Sequence, residues 1–364
     1  MWQIQNRTPF AVGQGWIRDR DGAETWLVVV KATFDILPDG STKVSPAQPK
    51  VIYSPVHRGE PGASSLLLEN DFVLGKKTTD VVVNGTAHAK GGAPVRTMDV
   101  AIQVGPVKKV LKVFGERVWG PRGTWLSPPV PFVSMPLTYE RAFGGVDKKS
   151  EHPEIDWYWP NPVGAGFVKS RSHIEGLRAA NVEYPGDPIK DWDSKPAPAG
   201  LGIISSHWKE RAAFAGTYDA AWEQKRQPLL PTDFDIRHLQ TVPKDQQSPT
   251  FMRGGEPVAL LGLTPSGTLR FALPSVDLSL VTHFMDGERR AHQPPALHTV
   301  ILEPDLLRVS LVWHSAVECH PKVHKLEKTV VELRKPVQRR TDDVTGDEDD
   351  DGGEEGVDNL LDLI

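Results

Sequence analysis

Cysteine is nearly absent. Cys319 is the only one in 364 residues, so no disulfide can form within the chain, and the composition suits a reducing compartment. Long apolar runs are absent too: stretches such as 26–30 fall far short of the roughly 20 residues a membrane helix needs. The first residues, MWQIQNRTPF, lack the basic start and apolar run of a secretory leader. The expected location is therefore the cytoplasm, with no membrane partner. Catalytic signatures are missing as well: there is no G-x-S-x-G elbow, no H-E-x-x-H pair and no P-loop. Gly13-Gln14-Gly15 opens like a dinucleotide fingerprint but lacks the third glycine. Residues 341–364 contain 11 acidic side chains and no basic one, leaving 42 basic and 36 acidic residues, a balance of +6, on the rest. That surplus comes with no arginine-rich stripe or groove-reading motif, so nucleic acid is not an expected partner.

What is present reads as β-structure. Residues 26–36 (WLVVVKATFDI) are rich in Val, Thr, Phe and Trp, which fit a pleated, half-buried surface. Asp21-Gly22 and Pro38-Asp39-Gly40 bracket that run with turn residues. Residues 79–83 and 86–89 flank Asn84-Gly85, a short-range hairpin signal. Residues 95–104 alternate imperfectly until Gly105-Pro106 breaks the run, and 107–118 read as a strand pair turning near Gly115. Further strands are expected at 257–263, 268–273, 297–303 and 308–314, while 325–333 fits either a strand or a short helix. The expected fold is mainly β, with antiparallel sheets in a sandwich-like or barrel-like arrangement and little helix.

The organisation has four parts: a β-rich region 1–118, a loop-rich middle 119–255, a β region 256–334 completing the body, and an acidic tail 335–364. The middle is dense in Pro, Gly and Trp, with tryptophans at 119, 125, 157, 159, 192, 208 and 222. Large aromatics can anchor irregular backbone, so these loops are expected to be ordered and packed over the sheets. One helix is expected at 218–225, started by Thr217 or Asp219 and ended by Pro228. The tail composition predicts disorder. Its last residues regain Val357, Leu360, Leu361, Leu363 and Ile364, which could dock as a short helix in a groove or simply belong to a solvating tail.

Candidate chemistry is sparse. His314, Cys319, His320 and His324 are zinc-type ligands, but they form one cluster without a C-x-x-C knuckle, and a lone cysteine there reads as a small buried hydrophobe. No metal or cofactor is therefore expected. Cys319, or Ser205 and Ser206 beside His207, could supply a nucleophile, though triads assemble in space and not along the chain. Asp233 and Asp235 share a side if 232–236 is extended. They could do acid/base work, or cap turns and pair with Arg237, the reading preferred here. Glu140-Arg141-Ala142-Phe143-Gly144-Gly145 and Asn161-Pro162 with Gly164 and Gly166 demand special backbone geometry. Each could cradle a phosphate through a nest of backbone N–H groups, but both read as structural loops.

At those two motifs the chain resembles a domain-of-unknown-function family encoded beside the spike genes of type VI secretion clusters, whose members are described as effector adaptors or chaperones. The resemblance spans about 6–312. Other stretches that carry it are Lys31-Ala32-Thr33-Phe34, Val113-Phe114-Gly115-Glu116-Arg117, Trp208-Lys209-Glu210-Arg211 and Leu230-Pro231-Thr232-Asp233. It implies a non-enzymatic cytoplasmic protein that holds a secreted effector protein and helps load it onto a spike or spike-tip protein. It implies no catalytic residues. Trp, Tyr and Arg anchor interfaces most often, so the expected cargo-binding or supporting residues are Arg141, Phe143, Trp157, Tyr158, Trp159, Asn161, Trp208 and Trp222. A tail-docking role is expected for Leu360, Leu361, Leu363 and Ile364. A structural spike-associated component and a hydrolase are the competing readings.

Overall fold

A computed structural model describes residues 2–334. The acidic tail, with Leu360, Leu361, Leu363 and Ile364, lies outside the described residues. The spine is the strand Glu24–Ile36, which pairs with Ala11–Arg18 on one side and Arg308–Glu318 on the other. Beyond Arg308–Glu318 come Ala296–Glu303 and Asp80–Val83, and Thr42–Val44 pairs with the end of the spine. These strands make a six-stranded sheet. The unbroken apolar run of the spine has a direct cause, since both of its faces are buried. Val28, Val30 and Phe34 enter one core, while Leu27 and Val29 enter another.

The first core is shared with two further sheets. A five-stranded sheet runs Val182–Glu183, Val107–Phe114, Thr97–Val104, Pro257–Leu261, Thr268–Ala272. A four-stranded sheet runs Gln3–Asn6, Leu326–Leu333, Leu278–Phe284, Arg289–Ala291. Ile102, Leu111 and Leu260 from the former, and Leu280, Phe284 and Val331 from the latter, join the same cluster as Val28 and Phe34. Each sheet is an open path of strands, so the arrangement is a layered sandwich and not a barrel. Each fully buried Leu or Phe contributes about 1.5–3 kcal/mol.

The second face of the spine is covered by loops. Val51, Leu66, Ile203 and Val242 pack there against Leu27, Val29 and Val312. Charge fixes this layer as well. The buried Lys31 ammonium donates to Asp71 at 2.9 Å, and Asp71 also accepts the Ile52 N–H at 2.8 Å.

Two expected turns are corrected. Asn84-Gly85 is no hairpin. Asp80–Val83 pairs in parallel with Ala296–Glu303, and Thr86–His88 pairs with Ser134–Pro136 in another sheet. Gly85 is needed because a Cβ there would sit 2.7 Å from the Pro304 ring. Likewise 107–118 is not a strand pair: Val107–Phe114 is one strand, and the turn is Gly105-Pro106, with Gly105 at φ +52°. A Cβ on Gly115 would lie 1.7 Å from the Val130 carbonyl oxygen, so this glycine also marks close approach. Residues 325–333 resolve as a strand, Leu326–Leu333. The expected helix is Ala220–Lys225, its first turn capped by Asp219, which accepts the Trp222 N–H at 2.8 Å.

Candidate protein-binding groove

The aromatic loops of the middle divide into interior and surface residues. Asn161 is fully buried, and its Nδ2 donates to the carbonyls of Tyr139 at 2.8 Å and Phe143 at 3.1 Å. Phe143 packs edge-on against Tyr158, and Trp208 edge-on against Tyr139. Arg141 reaches Glu116 at 2.5 Å and Asn181 at 3.0 Å. Phe143, Asn161 and Trp208 are buried, so the role open to them is support. Trp157 is half-buried, while Trp159 is 46% exposed with its indole N–H on the His207 carbonyl. Trp222 donates to the Leu229 carbonyl at 2.9 Å and packs edge-on against Tyr218.

The dispersed chemical candidates do not converge. The buried Cys319 sulfur hydrogen-bonds the Glu24 carbonyl oxygen, and burial pushes its thiol up to about 11. His314 lies tilted against His298, their centroids 3.8 Å apart. Among the described residues no three metal-type side chains come together. The segment around Asp233 and Asp235 is a turn and not a strand, which removes the shared-side premise. Asp233 accepts from the Thr217 N–H and hydroxyl, and hydrogen bonds from Arg237 hold the Asp235 carboxyl down at about 2. Lys109 is buried and pushed down to about 8 by burial. Its ammonium donates to Asp245 and Gln246 at 3.0 and 2.9 Å. Gln246 in turn donates to the Val81 and Leu201 carbonyls. This network clips the turn Lys244–Gln246 between two sheets. The cavity beside Lys76, Asp71 and His314 holds about 20 Å³, room for one water.

A larger recess lies where the spine's neighbour, Ala11–Arg18, forms the end of the six-stranded sheet. Its peptide groups alternate in direction. The Gln14 N–H donates to the Tyr53 hydroxyl at 3.0 Å, so Gln14 faces away from the sheet. By the period of two, Trp16 and Arg18 turn the same way. Beside them is a groove of about 540 Å³ walled by Trp16, Ile17, Leu74, Pro228, Leu229 and Leu230. It continues into a second recess of about 530 Å³ through the shared Leu74 and Leu230, with Arg20, Lys77, Asp233 and Asp235 around it. The sequence places Leu229 and Leu230 there by trapping them between Pro228 and Pro231, where no helix can continue. Trp222 ties that segment down through Leu229.

The family described as "Uncharacterized protein conserved in bacteria (DUF2169)" matches residues 21–314. The chain belongs to this family. No curated protein and no solved structure matches it. The DUF2169 match includes Leu74 and the 228–236 wall but begins after Trp16 and Arg18. One wall of the groove thus lies inside the shared region and the other outside it. Among the described residues no helix is long and apolar enough to cross a membrane.

Nothing along the sequence marks Trp16, Ile17, Leu74, Leu229 and Leu230 as one site. The available signal was the leucine pair between two prolines, apolar residues where neither strand nor helix could bury them.

Proposed function

We propose that the chain is a non-enzymatic cytoplasmic adaptor. It binds a segment of a secreted effector protein and presents it to the type VI spike or spike tip. The observation that carries the binding part is the outward-facing edge at Trp16 and Arg18 beside an aliphatic groove. Partner segments commonly add to exposed sheet edges, with backbone pairing for affinity and side-chain pockets for specificity. The secretion part rests on the motif resemblance at 140–145 and 161–167.

The test is a pull-down with tagged full-length protein from cells expressing the neighbouring genes, repeated with Leu230→Asp and Trp16→Ala. Stoichiometric recovery of one effector is expected, weakened about 30-fold by either groove variant, as for an interface anchor worth about 2 kcal/mol. Recovery that ignores both groove variants but fails with Trp157→Ala/Trp159→Ala moves the surface to the aromatic middle. Recovery of a spike protein without any effector rejects the adaptor.

A further inference from the structure

We propose that residues 357–364 of this same chain occupy the groove beside Trp16 and Leu230, so that an effector must displace them. This rests on the reading of the groove as the partner site and names its regulator.

The first argument is position. Leu326–Leu333 runs parallel to Gln3–Asn6, with Asn6 opposite Val331, and the Arg7 N–H donates to the Val331 carbonyl at 2.8 Å. The described chain therefore stops beside residues 7–10, at the start of Ala11–Arg18. The groove lies at the far end of that strand, about 20 Å away at roughly 3.4 Å per residue. Residues 335–356 can span up to about 70 Å when extended, so the reach is ample.

The second argument is chemistry. Val357, Leu360, Leu361 and Ile364 fall at i, i+3, i+4 and i+7, one apolar stripe of a helix. Such a stripe suits a groove of aliphatic walls, and so short a helix gains its stability by docking. Asp358 and Asp362 flank the stripe. Arg18 stands at the groove with no carboxylate partner among the described residues, its guanidinium 5.8 Å from the Trp16 ring centroid. Residues 341–364 carry 11 acids and no base, while the rest of the chain is basic by 6. That opposition belongs to the body as a whole; in the groove itself Arg18 stands beside Asp19, so the apolar stripe carries the fit.

The third argument is concentration. A tether of this kind presents its end at about millimolar effective concentration, so contacts of only about 100 µM intrinsic affinity would keep the groove about nine-tenths filled. An effector binding more tightly than that displaces the segment.

The test titrates a fluorescein-labelled peptide of residues 353–364 into full-length protein, read by anisotropy. Full-length L360D/L361D, whose own segment is disabled, should bind the peptide about tenfold more tightly than the wild type. Adding Leu230→Asp should abolish that binding. Arg18→Glu, a surface change that spares the fold, should weaken it and flatten its salt dependence. Equal affinity for wild type and L360D/L361D, no binding to either, or indifference to both groove variants overturns the proposal. If the peptide fails while effector recovery still depends on Leu230, the inference falls and the adaptor reading stands. If the peptide behaves as expected while effector recovery ignores the groove, the tail contact stands and the partner surface lies elsewhere.

Discussion

Asn161 shows how one side chain holds a loop beside the two-residue ladder of Phe143–Gly144 and Ala165–Gly166. Its amide satisfies two carbonyls, of Tyr139 and Phe143, from full burial. Asn161→Ala strands the Phe143 carbonyl, while that of Tyr139 keeps the Ala142 N–H at 3.2 Å, and an unpaired buried carbonyl costs about 1–3 kcal/mol. A loss of about 1–3 kcal/mol in urea unfolding is expected. A loss under about 0.5 kcal/mol would show that water replaces the amide. The buried histidines make a second prediction. Burial pushes His292 down to about 4 and His314 to about 3, and His298 is lowered well below its ordinary value of 6.5. Below pH 6.5 the unfolded chain binds protons that the folded chain refuses. The stability is therefore complete above that pH and is lost as pH falls toward the folded values. Each of the three contributes a slope of up to about 1.4 kcal/mol per pH unit. Urea midpoints should fall between pH 6.5 and 4.5, a window above the range in which the paired carboxylates titrate. A flat profile there would mean these rings protonate in place.

At the scale of elements, the spine is buried on both sides, and neighbouring positions should behave alike. Val28 and Val29 point into different cores, so Val28→Ala and Val29→Ala should each cost about 1.5–3 kcal/mol. On Val107–Phe114 the two faces differ, since Leu111 is buried and Lys108 exposed. Leu111→Ala should destabilise by about 2–5 kcal/mol and Lys108→Ala by less than about 0.5. If Val29→Ala is silent, the loop layer over that face is loosely held. The legibility of each element followed the same physics. The spine, Ala296–Glu303 and the capped helix Ala220–Lys225 were readable because composition or a local cap specifies them. Gly85 and Gly115 misled because a glycine required by the distant Pro304 or Val130 looks, along the chain, like one required by a turn. The groove was illegible for a related reason. Trp16, Leu74 and Leu230 meet only after the sheet edge, a loop and the proline-bounded segment are assembled.

At the scale of the molecule, the sheets mix the two ends of the chain. Gln3–Asn6 pairs with Leu326–Leu333, and Glu24–Ile36 with Arg308–Glu318. A single cluster gathers side chains from all three large sheets. Neither the first third nor the last can bury its apolar faces alone, so the described body should unfold as one unit. Ile102 belongs to the five-stranded sheet and Leu280 to the four-stranded one, and both enter that cluster. Ile102→Ala and Leu280→Ala should each cost about 2–5 kcal/mol and shift one common transition. In calorimetry the heat absorbed should match the van't Hoff value for wild type and both variants. Two resolved transitions, with each variant moving a different one, would show that the sheets fold as separate bodies and that the cluster between them is an interface. Pairing of such distant segments must also pay loop-closure entropy before contacts reward it. Refolding should therefore be slow, in milliseconds to seconds or longer. Newly made chains would then spend that time with the edge at Trp16 and Arg18 uncovered. An acidic segment of the same chain able to cover that edge would shield the protein from edge-to-edge association. Full-length L360D/L361D should accordingly refold with more aggregation than wild type by light scattering, and equal scattering would confine the tail's role to the folded state.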